Sequence, residues 1–204
     1  MSKHTPNPLP LTASGPGVDA TQIPALHTER LRLRAFSLED LPGAFSLWAD
    51  EKVVRFIGAK TRTEADVWAA ISRSFGHWAL LGFGYWAIAD KASNRYLGEI
   101  GFLEGLRNLQ PPHETQWEGL PEAGWALAQN AWGQGLATEA LTAVCQWADQ
   151  NLEATHTQCL IDPKHGASLK VAHKNGFTPL RQANLGEHAT LVLTRARQSG
   201  ALAG

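Results

Sequence analysis

Residues 130–138 read "NAWGQGLAT", and the two glycines around Gln134 are what the fold turns on. The stretch follows an apolar strand pattern, "EAGWALA" at 122–128, and precedes a helical stripe of Leu136, Ala140, Leu141, Val144, Cys145, Ala148 and Leu152. Glycine favours neither a strand nor a helix, so a pair of them at this junction reads either as a turn or as a place where something approaches bare backbone. The mouth of a helix suits the second reading. Its first amides lack internal partners and the positive end of its dipole lies there, so an anion is stabilised.

Outward from that junction, the remaining elements fall into a mixed α/β order. "RLRLRAF" (30–36) alternates as a strand with Leu31 and Leu33 on one face, its arginines reading as a solvated face. "SLEDLPGAFSLWAD" (37–50) reads as a helix with Asp40 as N-cap and Pro42 in the first turn. A second helix starts near Thr63 and runs through Val67, Trp68, Ile71, Phe75 and Trp78. Strands at 84–90 and 96–103 flank the turn "KASNR", and a long polar connection follows before 122–128. Beyond the central helix come a strand at 157–162, a short helix closed by Gly176 with Phe177 folding back, and strands at 177–182 and 188–195. The order is β-α-α-β-β-β-α-β-α-β-β, with an antiparallel first half and a βαβ unit at its centre. Residues 1–24, rich in Pro, Gly, Ser and Thr, are expected to be a disordered arm, 25–197 the folded domain and 198–204 a flexible tail.

Composition narrows the function classes. The chain has 204 residues, 18 Lys and Arg against 19 Asp and Glu, and a net charge of -1, so no global field recruits nucleic acid or an anionic membrane. The apolar runs are shorter than a membrane span or signal-peptide core needs, which leads us to expect a soluble, cytoplasmic protein. Cys145 and Cys159 fall on apolar patterns and are expected to be reduced core residues. The eight histidines form no H-E-x-x-H pattern and no Cys/His cluster, so no metal is expected.

Three anion-loop templates were compared with the glycine pair. The Walker loop G-x-x-x-x-G-K-[ST] fails because no Lys-Ser or Lys-Thr follows either glycine, and the dinucleotide fingerprint G-x-G-x-x-G fits poorly because Thr138 stands at the third glycine. "NAWGQG" resembles the third, [QR]-x-x-G-x-[GA], the pyrophosphate loop of the GNAT superfamily of N-acetyltransferases, with Asn130 in place of Gln or Arg. "PEAGWAL" (121–127), "LATEAL" (136–141) and "HGASLKVAHKNGF" (165–177) resemble segments of its RimJ/RimL-like branch. "TERLRLRAFSLEDL" (28–41) and "YLGEIGF" (96–102) resemble its first and third strands, so the likeness spans about 28–195 in order.

The resemblance implies a GNAT fold and transfer of acetyl from acetyl-CoA to a primary amine, either a protein N-terminus or a small molecule. It implies that the pyrophosphate rests on the amides of Gly133, Gln134, Gly135, Leu136 and Ala137, with Thr138 adding a hydroxyl. Backbone groups of Ala126, Leu127 and Ala128 would hold pantetheine, and the amide of Leu127 or Ala126 would serve the oxyanion. Glu122 is the expected base, the other reading being a solvent-facing strand start; Glu99 and Glu104 are secondary candidates that read rather as substrate contacts or solvated side chains. The family's tyrosine acid is replaced by Ala172, which leaves Ser168 as substitute or simply as a helix-start hydrogen bond. His165 stands at the branch's usual Asn, where an imidazole can still bond pantetheine. Phe36, Trp78, Phe83 and Trp86 could wall the acceptor pocket or belong to the core. The connection carrying Glu104, His113, Glu114 and Glu118 would either lie over the acceptor entrance, where its acidic bias suits a cationic amine, or be a solvated loop, and a homodimer is possible. The other functional class left open is a non-catalytic acyl-CoA sensor with the same loop.

Overall fold

The computed structural model describes residues 23–104, 107–112 and 119–198. Residues 1–22 and 199–204, which hold most of the expected arm and tail, lie outside the described residues, as do His113, Glu114 and Glu118. Packing starts at Ile23, which is buried, and Pro24, whose carbonyl accepts a 2.7 Å hydrogen bond from the Trp86 indole, so these two residues are anchored rather than part of a free arm.

The described strands are β1 (Leu26–His27), β2 (Leu31–Arg34), β3 (Tyr85–Asp90), β4 (Tyr96–Leu103), β5 (Leu109–Gln110), β6 (Glu122–Leu127), β7 (His156–Ile161), β8 (Thr178–Leu185) and β9 (His188–Ala196). The helices are α1 (Leu41–Trp48), α2 (Glu51–Val54), α3 (Glu64–Leu81), α4 (Leu136–Asn151) and α5 (Gly166–Lys174). All nine strands form one sheet in the order β1-β2-β3-β4-β6-β7-β9-β8-β5. Every neighbouring pair is antiparallel except β6 and β7, the two strands joined through α4.

The mixed α/β order read from the sequence is present, with two strands and one helix added to it. β1 and β5 are two residues each, too short for alternation to register. The stretch expected as one helix over 37–50 is a 3-10 turn at Leu38–Asp40 followed by α1, and α2 is a separate short helix capped by the Asp50 carboxylate on the Lys52 amide. Asp40 sits at the N-cap position of α1 but makes no side-chain cap bond. It is drawn to Arg34 instead, in a two-pronged pair of 2.7 and 2.9 Å, and it accepts from the Ser37 amide. Arg34 is therefore a structural residue and not part of a solvated face.

The period of two in the central strands divides the core between the sheet's faces. On one face Trp86, Ile88, Ile100, Phe102, Ala123 and Leu127 meet the stripe of α4, all of them buried. On the other, Ala87 and Ala126 meet Ala44, Leu47 and Trp48 of α1 and Val67 and Ile71 of α3. Burying a large apolar side chain contributes roughly 1.5–3 kcal/mol, so these two layers hold the sheet rigid between the helices. Trp78, Trp86 and Trp147 pack edge to face within 5.5 Å of one another, which makes Trp78 and Trp86 core residues. α3 begins on a reciprocal Thr63–Asp66 capping box and stops at Gly82 in a left-handed turn. α5 ends as expected: Gly176 has φ +82°, and Phe177, fully buried, bonds back to the Ala172 carbonyl at 3.1 Å.

Candidate active site

The site begins where β6 and β7 part. Their register contains a single parallel pair, Glu122 with Gln158, after which the strands diverge. In an antiparallel ladder, residues alternate between turning their polar groups towards the partner and away from it. The Ala128 amide donates to the Leu97 carbonyl of β4 at 2.9 Å, and Ala126 opposite Glu99 is in the same phase. The amides of Ala126 and Ala128, expected to hold pantetheine, are thus engaged by β4. Trp125 and Leu127 turn theirs into the gap, although the Leu127 carbonyl already accepts the Trp132 indole at 2.6 Å. The Leu127 amide remains for an incoming group, and Trp125 is a backbone position that the sequence did not single out.

At the end of β6 the chain makes a 3-10 turn over Gln129–Ala131 and then the glycine loop. Gly133 and Gly135 have φ of +72° and +78°, a conformation costly to any residue with a Cβ. Nothing lies within 4 Å of a Cβ built on Gly133, so the loop's outer face is open. The first intrahelical bond of α4 is from the Glu139 amide to the Gly135 carbonyl, which leaves the amides of Leu136, Ala137 and Thr138 without helical partners. Asn130 and Gln134 are exposed, and the Gln134 side chain closes the loop on the Asn130 carbonyl at 2.8 Å.

Arg30, on the face that alternation places in solvent, braces this loop. Its guanidinium donates to the Gln134 carbonyl at 2.9 Å and to Glu139 at 2.7 Å, while its own amide also donates to Glu139. Burial works against the Glu139 charge, yet hydrogen bonds from Thr28 and Arg30 hold its carboxyl below the ordinary range. Only the link between Arg30 and Glu139, 109 residues apart in the chain, could have marked them, and a single sequence carries no such signal.

A cleft of about 390 Å³ opens from the parting strands onto the α1–α3 face of the sheet. It collects Glu122, Ala126, His165 and Ser168 among the expected residues, together with Phe36 and Glu99. Glu122 is buried, and both of its carboxylate oxygens are taken by Arg107, at 2.7 and 2.9 Å. Glu99 is also buried, and its hydrogen-bond partners are neutral: the Tyr96 hydroxyl, which donates to it at 3.3 Å, and the Trp48 indole. Burial pushes the Glu99 carboxyl up, outweighing the Trp48 indole, the Arg62 charge and Tyr96. Glu104 is not a cleft residue; it pairs with His77 at 3.1 Å. The Tyr85 hydroxyl lies over Gly124, where a Cβ would come within 2.1 Å of it. Burial raises its pKa, the charges of Glu99 and Glu122 add to this, and Arg107 and Arg62 oppose it.

His165 and Ser168 meet at the start of α5, with the imidazole Nε2 3.5 Å from the Ser168 hydroxyl. The His165 ring stacks on Phe56 at 4.6 Å, and burial holds it below its ordinary pKa, so the neutral ring predominates at neutral pH. Among the described residues, no group of three or more His, Cys, Asp or Glu gathers that could hold a metal, and no helix is long and apolar enough to cross a membrane.

Strands that part after one pair, beside a glycine loop and an open helix mouth, are matched by known proteins. The family profile for the acetyltransferase (GNAT) domain fits residues 30–178. The chain belongs to the GNAT acetyltransferase family. The protein is 26% identical over 153 residues to the uncharacterized N-acetyltransferase p20 of Bacillus licheniformis, covering 74% of this chain and 81% of that one. A putative GNAT-family acetyltransferase from Bordetella pertussis superposes with a TM-score of 0.72 at 28% identity, over 85% of this chain and 99% of the other. RimL, a ribosomal L7/L12 α-N-protein acetyltransferase solved with coenzyme A, shares the fold at 15% identity and a TM-score of 0.66, over 85% and 98% of the two chains.

The chain is accordingly an acetyl-CoA-dependent acyltransferase, and the Arg30 brace acts on the GNAT glycine loop. The Arg30–Glu139 pair is half open to solvent on the arginine side (47% exposed), so its worth as an ion pair is small. Its hold on the Gln134 carbonyl is what matters. Arg30→Ala is expected to raise KM for acetyl-CoA by about 3- to 10-fold, the worth of about one hydrogen bond, with kcat little changed. A fall in kcat at constant KM in steady-state assays would remove Arg30 from this role.

Proposed function

We propose that the protein transfers the acetyl group of acetyl-CoA to a primary amine by direct attack in a ternary complex, in the manner of the RimJ/RimL-like branch. The observation that carries this reading is the parting of β6 and β7 next to the open amides of α4. A pyrophosphate would rest on the backbone from Gly133 to Ala137, with Thr138 in the same first turn, and the Leu127 amide would face the arm that runs into the gap. Acetyl-CoA supplies an acetyl thioester, a carbonyl carbon open to attack by nitrogen.

The chain's own residues would then do three things. Glu99 takes the proton that the amine gives up as its nitrogen bonds to the acetyl carbon, because its lone pairs are less committed than those of Glu122. The Leu127 amide faces the charge developing on the acetyl oxygen. As the carbon–sulfur bond breaks, the Ser168 hydroxyl, relayed by the neutral His165 ring, can return a proton to the sulfur. Glu122 and Arg107 together shape the acceptor end of the cleft. The amine is a small molecule or a protein N-terminus.

The test is release of free thiol from acetyl-CoA across a panel of amines, run beside thermal denaturation with and without acetyl-CoA. Stabilisation together with amine-dependent thiol release is expected. Stabilisation without release from any amine would replace catalysis by an acyl-CoA sensor, and no stabilisation would remove the cofactor assignment.

A further inference from the structure

The acceptor end of the cleft is rich in arginine, and its arginines are not equally occupied. Arg107 is neutralised by Glu122 in a bidentate pair. Arg62, in the connection between α2 and α3, and Arg73, on α3, also line the cleft. The ion pairs among the described residues engage Arg30, Arg34, Arg107 and Arg195 but neither Arg62 nor Arg73. The Arg62 guanidinium instead lies over the Trp48 ring, its central carbon 3.5 Å from the ring centroid. A stacked guanidinium keeps its in-plane N–H edge free for a planar anion.

Charge repulsion points the same way. Burial disfavours the charged form of Arg62, Glu99 and Tyr85 favour it, and the nearby Arg73 charge disfavours it again. Glu99 is too far from Arg62 to form an ion pair and remains shifted towards its neutral form by its own burial. Arg62 is partly buried and Arg73 exposed; Asp66 offsets part of their repulsion, and an anion between the two arginines would relieve the rest. The floor beneath them is Tyr85 and Glu99, where the acceptor nitrogen must come if Glu99 is to take its proton.

We propose that Arg62 and Arg73 form an anion subsite for the acceptor, so that the substrate is a primary amine also bearing a carboxylate or phosphate group. This rests on the amine-acetylation reading of the same cleft. The acceptor's anionic group docks on the free edge of Arg62, Arg73 neutralises its remaining charge, and the amine is held towards Glu99. The expectation of a cationic acceptor drew on Glu104, His113, Glu114 and Glu118; Glu104 pairs with His77 away from the cleft, and the other three lie outside the described residues.

The test uses the full chain loaded with coenzyme A and matched probes: phenylalanine against phenethylamine, lysine against cadaverine, and 2-aminoethyl phosphate against ethanolamine. By calorimetry the anionic member of at least one pair is expected to bind about 10- to 100-fold more tightly, the worth of a charge-assisted hydrogen bond set, and the phosphate pair against the carboxylate pairs tells which anion fits. In Arg62→Ala with Arg73→Ala the preference should fall to near unity. Because Arg62 also packs on Trp48, Arg73→Gln alone is a second probe and should cut the preference about 3- to 10-fold, with coenzyme A still stabilising the variant as a check on the fold. Equal or tighter binding of the neutral members, or a preference unchanged in the variants, overturns the proposal. Selective binding of anionic amines without thiol release upholds the subsite and overturns the transfer reading; thiol release from neutral amines alone does the reverse.

Discussion

Glu99→Gln is expected to lower kcat by about 10²- to 10³-fold, the usual worth of a positioned general base, while leaving acetyl-CoA affinity unchanged. Glutamine keeps the size and hydrogen-bonding reach of the side chain but cannot accept a proton. The choice of Glu99 over Glu122 is a matter of partners. Glu122 spends both oxygens on the charged Arg107, whereas Glu99 has only neutral hydrogen-bond partners, the Tyr96 hydroxyl at 3.3 Å and the Trp48 indole, and a carboxyl already pushed up by burial. A base raised towards the working pH shares its proton more evenly with the amine. The acid limb of the native pH–rate profile should therefore lie above the ordinary glutamate range and should vanish in the variant. Stability should move the other way. A folded-state pKa above the unfolded one contributes stability below the unfolded value, and that contribution is lost as pH rises through the folded value. At neutral pH the ionised Glu99 is a burden on the fold, so Glu99→Gln should raise Tm there, and the gain should shrink towards acid pH. A variant with native kcat and an intact acid limb would return the base to Glu122, where the family resemblance had put it.

That contrast shows how far one sequence reaches. The glycine loop, the α4 stripe and the Gly176–Phe177 stop were legible because each is local: a conformation, a period or a cap is encoded within a few residues. The mixed α/β order followed from the same signals. What the sequence left hidden depends on partners distant in the chain. Arg107 and Glu122 are 15 residues apart in the chain, and Arg34 turns out to hold Asp40 although alternation alone placed it in solvent. Arg30 was hidden for the same reason, since its loop contact crosses 104 positions. The ladder phase that commits Ala126 and Ala128 to β4 was out of reach too, because strand register is fixed by the neighbour and not by the strand itself.

Gly135→Val should be the most damaging change in the loop, and the reason is conformational rather than steric. A Cβ at Gly135 would meet only the Arg30 guanidinium, at 3.7 Å, so there is room for one. The φ of +78° is the obstacle, because a β-branched residue in the left-handed region costs about 1–2 kcal/mol. The cheapest relief is to rotate the peptides on either side, which swings the amides at the mouth of α4 off their common target. Each charge-assisted hydrogen bond so lost is worth about 1.5–3 kcal/mol, and the loss of one or two predicts a rise in KM for acetyl-CoA of about 10²-fold. Gly82 supplies the control. It ends α3 with φ +72° and has nothing within 4 Å of a built Cβ, but it is not part of the glycine loop. Gly82→Val should pay a similar backbone penalty and lose a similar few degrees of Tm, with KM unchanged. If the two variants share the same KM, strain in the left-handed region acts only on the fold, and the glycines at 133 and 135 are turn residues with no special relation to the cofactor. If they separate, the loop's conformation is what holds the pyrophosphate, and the side chains around it serve chiefly to keep that conformation in place.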